Sequence, residues 1–495
     1  MKGDKVIRDS VHGEIRLSEA FVKNIIDTPS FQRLRRIEQT SIRAVFPCAR
    51  HDRFTHSLGV FHIGTKIVKQ LMPQLKGLNV VSEHEIGTIV QSYLIACLLH
   101  DIAHAPFSHT FEPYYGDREV LYGRLCDVLR KDLQLDIKKI NNIKEHEYAS
   151  AILSVEKFGE AITSHPLNGD VELVSRMIIG AEYKDKDKFH QLCDCFTNLL
   201  HGEVDADRLD YACRDIWASG YKRISVDVNR IIRAMYIKEH KRVLQLCFDY
   251  HAVGDIRNIM ELKWFQVTHI FNHHTIVYDQ ALLIHAAEQM AQSIFQEPDL
   301  DPAVALSRII SIDAVSKSII LPDDHRIQFL CDDDLFSLMK RSNNTYFNEW
   351  YSRQYTHFAL WKTPEEFFHL FPNISKSIIV SHPDFKEQIS AALDGVLDIS
   401  KIITHKVEYT SKKSLEDLSV VINEELKAYK DICHEIFKDN VKKKSFKFIY
   451  LYLPKPADMN DMEELREQIL ERITPVIENM FLPLAEGQEE QQEEN

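Results

Sequence analysis

The sequence is short of the residues that break helices: 16 glycines and 16 prolines are spread over 495 positions. That excludes collagen-like, Gly/Ser-linker and Pro-rich low-complexity architectures. Nine cysteines stand without any CxxC pair, which argues against a zinc ribbon or a disulfide framework and for a chain kept reduced. No apolar run approaches the roughly 18 residues needed to cross a bilayer, and MKGDKVIRDS has no apolar stretch of the secretory kind. We therefore expect a cytoplasmic protein, with no membrane partner. Positive charge is also in deficit, with 60 Lys and Arg against 74 Asp and Glu and a formal charge of −14. A global field for nucleic acid is thus not expected, and small phosphorylated ligands fit better. The signatures HExxH, GxGxxG and GxSxG are missing, and GVFHIGTK at 59–66 imitates a phosphate loop only on a helical pattern.

Apolar residues recur at three- and four-residue spacing, as in FVKNIIDTPSFQRLRRI and IGTIVQSYLIACLLHDIAHAP, which predicts a mainly α fold. Ser92–Leu99 is apolar nearly all round and reads as a buried helix, with His100, Asp101 and His104 before Pro106. Strand signals are few: KVIRD and GEIRLS near the start, a hairpin in YIKEHKRVLQLCFD at 236–249, then KSIIVSH, KIITHKVEYT and SFKFIYLYLP. We expect a helical core with small β-hairpins over 1–290, an α+β region over 291–484, and an acidic disordered tail over 485–495.

The first 215 residues concentrate imidazoles and carboxylates: RFTHSLG at 53–59, HDIAHAPFSH at 100–109, EHE at 145–147 and DADRLDYACRD at 205–215. An HD dipeptide alone carries little, since it also occurs at His51-Asp52. His56, His100, Asp101 and Asp207 together offer two nitrogens and two anionic oxygens, a set suited to Mn, Fe, Zn or Mg with room for water and substrate.

The order H…HD…D inside RFTHSLGV, CLLHDIAHAPFSH and VDADRLDYACRD, with KVIRDSVHGEIRLS and IIDTPSFQRLRRIEQ, resembles the HD-domain deoxynucleoside triphosphate triphosphohydrolases over roughly residues 4–290. Nothing like a SAM domain precedes Lys5, so the expected content is the catalytic core with a C-terminal portion. The resemblance implies an HD-domain fold, a divalent metal on His56, His100, Asp101 and Asp207, and cleavage of dNTPs to deoxynucleoside and triphosphate. It implies His109 as general acid, with His104, His146 and Glu147 lining the phosphates or relaying protons; bracing of neighbouring side chains is the alternative for His104 and His146. Arg53, Arg208 and Lys263 are the implied phosphate contacts, with a surface ion pair to Asp205 or Asp210 as the alternative for Arg208. Gln39, Tyr211, Asp215 and Phe271 are the implied sugar and base contacts, Tyr211 excluding a 2′ hydroxyl. Asp27, Gln32 and Arg35 stand where relatives recognise a guanine nucleotide effector, although Arg8 replaces an Asn of the family. The alternative there is a helix start, Asp27 capping and Pro29 in the first turn. A homo-oligomer, dimer or tetramer, is implied as well. The basic run VKKKSFK at 441–447 reads as a solvated strand entrance or a phosphate contact. Two other functions remain open on the residues: an HD phosphodiesterase or nuclease acting on another nucleotide or single strand, and a nucleotide sensor without turnover.

Overall fold

The computed structural model describes residues 4–78, 81–221, 226–297, 299–374, 382–410, 415–433, 445–456 and 458–481. KSIIVSH but for its last residue, most of VKKKSFK and the acidic tail lie outside the described residues. The fold is mainly α with few small sheets, as the helical spacing predicts.

The chain forms two compact units, and neither is one continuous stretch. The first comprises residues 1–263, 286–344 and 413–443; the second comprises 264–285, 345–412 and 444–495. A single boundary near 290 does not describe these units, because later segments return to the first unit by strand pairing and side-chain contacts that local composition does not reveal.

In the first unit, long helices Arg53–Leu78 and Glu83–Leu99 pack with Glu145–Thr163, Val171–Ile179, Lys188–His201 and Ala206–Ser219. Each start is chemically specified. Ser82 and Glu85 form a reciprocal capping box, and Asp205 Oδ1 accepts from Arg208 N at 2.7 Å to begin Ala206–Ser219, which Gly220 ends at φ 84°. Ser92–Leu99 is buried throughout, as its composition predicts, and His100 follows as the C-cap. The 59–66 segment that imitates a phosphate loop lies inside helix Arg53–Leu78.

Strands Lys5–Asp9 and Gly13–Leu17 form an antiparallel hairpin. The expected hairpin at 236–249 is Met235–His240 against Val243–Asp249, turned by Lys241 and Arg242 at φ 49° and 68°. Strand Ser419–Ile422 pairs parallel to it through Phe248 and Val420, and Glu425–Ala428 completes a four-stranded sheet. In the second unit, Ser445–Pro454 lies between Ile403–Thr410 and His357–Ala359, both antiparallel. Its core includes Trp361, Phe367, Phe371, Phe448 and Tyr450.

Candidate metal centre and histidine cluster

Three helices of the first unit supply one cluster of donors. His56 lies in the first turn of Arg53–Leu78, His100 and Asp101 follow the end of Glu83–Leu99, and Asp207 lies in the first turn of Ala206–Ser219. His56 Nε2 is 3.0 Å from Asp207 Oδ1, 3.3 Å from His100 Nε2 and 3.6 Å from Asp101 Oδ2. His100 Nε2 is 3.5 Å from Asp101 Oδ2 and 3.7 Å from Asp207 Oδ1. Donors about 2.1 Å from a common cation stand about 3.0–3.4 Å apart in octahedral or tetrahedral geometry, so His56, His100 and Asp207 are spaced to hold one ion, with Asp101 beside the two imidazoles.

The hydrogen bonds on the far side of each ring strengthen the fit. His100 Nδ1 donates to Cys97 O at 3.0 Å; a carbonyl only accepts, so Nε2 is left with its lone pair. His56 Nδ1 donates at 2.7 Å to Asp210 Oδ2, which likewise directs Nε2 inward. Two lone pairs and two carboxylates facing one another repel unless a cation or proton lies between them. Burial disfavours a charged His56, but Asp207 and Asp210 overcome it and push the group up to about 10. A divalent cation would take the place of that proton. Asp207 keeps the position open: its side chain is 34% exposed, against 1% for His56.

Asp210, which the motif reading does not single out, is the partner that holds His56. Its buried carboxylate also meets His12 Nε2 at 2.5 Å and accepts from Arg214 Nε at 2.8 Å, while Arg214 continues to Asp9 Oδ2 at 2.8 Å. Asp210 and Arg214 are four apart on one helix face, and Asp207, Tyr211 and Asp215 follow the same spacing on another. Gly59 explains its own presence within a helix, because a Cβ there would come within 1.9 Å of Asp210 Oδ1.

A second cluster adjoins Asp101. His104, His109 and His146 bring ring nitrogens together, with His104 and His146 stacked at a centroid distance of 4.2 Å. Glu112, also missed, accepts from His109 Nδ1 at 2.6 Å through one oxygen and from His146 Nδ1 through the other. Both Nε2 atoms are thereby left for another partner. His104 is fully buried, neither ring nitrogen has a hydrogen-bond partner, and burial followed by Arg53 holds it well below the usual imidazole range. His104 Nε2 stands 3.7 Å from Asp101 Oδ1. Crowding by the surrounding chain, then Lys144, lowers His109, whereas Glu112 raises it. The net result holds His109 down to about 3, although its side chain is 56% exposed.

The remaining sequence-predicted residues divide. Arg53 is buried and donates to Asp101 Oδ2 at 2.7 Å, Ser108 Oγ at 3.0 Å and Gln39 O at 3.1 Å, so it holds a metal-set carboxylate in place. Arg208 is not in a surface ion pair: its buried guanidinium donates to Glu203 O and to Tyr211 Oη at 3.3 Å. Lys263 Nζ lies 4.5 Å from the Tyr211 ring centroid; burial lowers it to about 8 despite Asp215. Asp215 meets His51 Nε2 at 2.8 Å, which brings the discarded His51-Asp52 dipeptide into the site, and Gln39 Oε1 is buried with no partner. Glu147 accepts from Lys144 N at 2.8 Å at the start of its helix, 4.0 Å from His201 Nδ1. Phe271 packs against the core of the second unit.

Asp27, Gln32 and Arg35 share one segment. Thr28, not Asp27, caps helix Pro29–Gln32, since its Oγ1 accepts from Phe31 N at 3.4 Å; Asp27 instead pairs with Lys5 at 3.4 Å. Arg35 Nε donates to Gln32 Oε1 at 2.9 Å, and its guanidinium covers the Phe54 ring at 3.6 Å. Arg8 pairs with Glu14 at 3.1 Å.

Residues 53–187 match the HD domain family, an interval that contains His56, His100 and Asp101. Over that interval the chain is similar to HD domains, in line with an HD-domain dNTPase-like family. Its resemblance to the dNTPase-like branch is borne out by curated relatives. It is 28% identical over 309 residues to the deoxynucleoside triphosphate triphosphohydrolase SAMHD1 homolog of Dictyostelium discoideum, covering 60% of this chain and 50% of that one. It is 30% identical over 285 residues to human SAMHD1, covering 52% and 40%, and 29% identical over 273 residues to the uncharacterized protein MJ1154 of Methanocaldococcus jannaschii, covering 55% and 47%. The chain spans about half the length of the curated relatives it matches. In fold it is similar to a phosphohydrolase from Bacteroides thetaiotaomicron, with a TM-score of 0.59, 19% identity and coverage of 92% of this chain and 100% of that one. Among the described residues no helix is long and apolar enough to cross a membrane.

Proposed function

We propose that the protein is a metal-dependent phosphohydrolase that cleaves deoxynucleoside triphosphates to deoxynucleoside and inorganic triphosphate. The observation that carries this reading is the convergence of His56, His100, Asp101 and Asp207 at 3.0–3.7 Å beside the His104, His109 and His146 cluster. A divalent cation (Mn, Fe, Mg or Zn) on the first set would supply Lewis-acid polarisation of the phosphoryl oxygens. The chain's own residues do the rest. Lys144, Arg208 and Lys263 give the site positive charge that favours a polyphosphate. His109, held through Nδ1 by Glu112, has Nε2 left to give a proton to the departing 5′ oxygen. An arriving polyanion raises its proton affinity and so loads the acid when substrate is bound. His104 and His146 offer further nitrogens to phosphate oxygens, and Glu147 stabilises their helix start.

The sugar is assigned to Gln39, Asp215 and Tyr211. The free Gln39 oxygen suits a hydroxyl donor, and the Tyr211 ring, backed by Lys263, is positioned to crowd C2′. Asp27, Gln32 and Arg35 belong to this reading as a nucleotide-effector segment at a homo-oligomer interface. Incubating the purified chain with each dNTP and divalent metal, followed by chromatography, tests the reading. Deoxynucleoside plus triphosphate is the expected pair; monophosphate plus pyrophosphate would refute it.

A further inference from the structure

Asp332 is a buried carboxylate of the first unit that lies outside both clusters and outside the matched HD interval. Asp332 opens helix Asp332–Arg341 and is 8% exposed. Its two oxygens serve two different segments: Oδ2 accepts from Glu38 N at 2.8 Å, and Oδ1 accepts from Phe107 N at 2.7 Å. Glu38 precedes Gln39, and Phe107 lies between His104 and His109. Arg33 adds a second tie from the same place, donating from Nε to Leu330 O at 2.6 Å and from its NH2 group to His104 O at 2.7 Å.

The segments so held need holding. Phe107 and Ser108 both adopt φ of 52°, a left-handed conformation that two consecutive non-glycine residues rarely keep unaided. Ser108 Oγ donates to Glu38 O, Ser41 Oγ donates to Phe107 O at 3.1 Å, and Arg53 Nε reaches Ser108 Oγ at 3.0 Å. The turn that carries His109 and the strip that carries Gln39 are thus laced together, and the lacing ends on Asp332. Burial raises Asp332 to about 6 while the two backbone donors favour its ionised form, as expected of a carboxylate retained for these contacts.

We infer that Asp332, with Arg33, is a positioning residue that sets the placement of His109 against the sugar strip from a part of the chain far outside the HD motif. The inference rests on the proposed role of His109, so its test has readouts with and without turnover. Asp332→Asn presents an amide N–H to one of the two backbone donors and breaks one tie while keeping the shape. In the full-length chain it is expected to lower kcat on the order of 10²-fold with little change in KM. Affinity for Mn²⁺ is expected to stay within about twofold of the parent, since no donor of the metal set touches Asp332. In histidine-labelled protein, the His109 ring resonance, assigned by its loss in His109→Gln, is expected to shift while that of His56 does not. Arg33→Lys keeps the charge but loses the fork, and supplies the same comparison if Asp332→Asn does not fold. Unchanged kcat and an unchanged His109 resonance in a folded variant would overturn the inference, as would a loss of metal affinity that parallels the loss of kcat. If the parent turns over no dNTP, the functional reading fails, and the ring resonance alone decides the positioning role.

Discussion

The two compact units bury opposite kinds of side chain. In the second, the interior is aromatic and aliphatic, with Trp361 against Phe367 at 5.0 Å and Phe371 at 5.8 Å between ring centroids. In the first, an apolar helical frame encloses His56, His100, Asp101, His104, Glu112, Asp210 and Arg214. The apolar interior draws its stability from area and packing, and any well-fitting residue would serve. The polar interior gains little from burial itself, and it holds together only because almost every group faces a specific partner. Removing one residue should therefore have different consequences in the two places: loss of chemistry with a folded chain in the first, loss of stability in the second.

The largest effect is expected from Asp207→Ala. It removes the half-buried member of the candidate metal set while leaving the buried frame, so turnover of dNTPs should fall on the order of 10³-fold or more with little change in Tm. Activity assays beside thermal denaturation check this, and a comparable drop in Tm would erase the contrast. Trp361→Ala is the converse. It should cost about 3–5 kcal/mol of stability in denaturant titration, with the metal content of the folded fraction unchanged.

Asp210→Asn should give an intermediate result. An amide facing His56 favours the tautomer with hydrogen on Nε2, which cannot ligate, so Mn²⁺ affinity is expected to fall about 10–100-fold by calorimetry. Gly59→Ala should reproduce part of that loss by forcing the carboxylate away, since the added methyl would overlap Asp210 Oδ1. Equal metal affinity in both variants and the parent would mean that the Asp210 hydrogen bond does not orient His56.

The same contrast explains how far the sequence could be read. The helices and the 236–249 hairpin were legible because their periods are properties of local sequence, and His56, His100, Asp101 and Asp207 could be picked out as candidates by their spacing within motifs for the same reason. Asp210, Glu112, His12 and Asp332 were not, because an orienting carboxylate is defined by a partner elsewhere: 154 positions away for Asp210 with His56, and 225 for Asp332 with Phe107. Gly59 carried a signal, a glycine in a strong helical pattern one turn from His56, which could have suggested a close neighbour. The parallel pairing of Phe248 with Val420 left no such trace, and with it the return of residues 413–443 to the first unit escaped the reading.

A further expected effect concerns protons. Without a cation, His56 and His100 are both raised above the ordinary imidazole value, and their Nε2 atoms are 3.3 Å apart, close enough to share one proton. For His56, raised to about 10 from 6.5, the protonated form stabilises the metal-free fold fully below 6.5, and that contribution is lost as pH rises through 10. Metal binding requires both nitrogens bare. Between these limits the cation must displace the shared proton, so binding should release about one proton per metal and log affinity should climb by about one per pH unit, flattening above the upper limit. Calorimetry in buffers of different ionisation enthalpy measures the release directly. An affinity independent of pH from 7 to 9 would show that the pair is already bare in the metal-free chain. The repulsion between its lone pairs and the two carboxylates would then have to be relieved by the side chains moving apart.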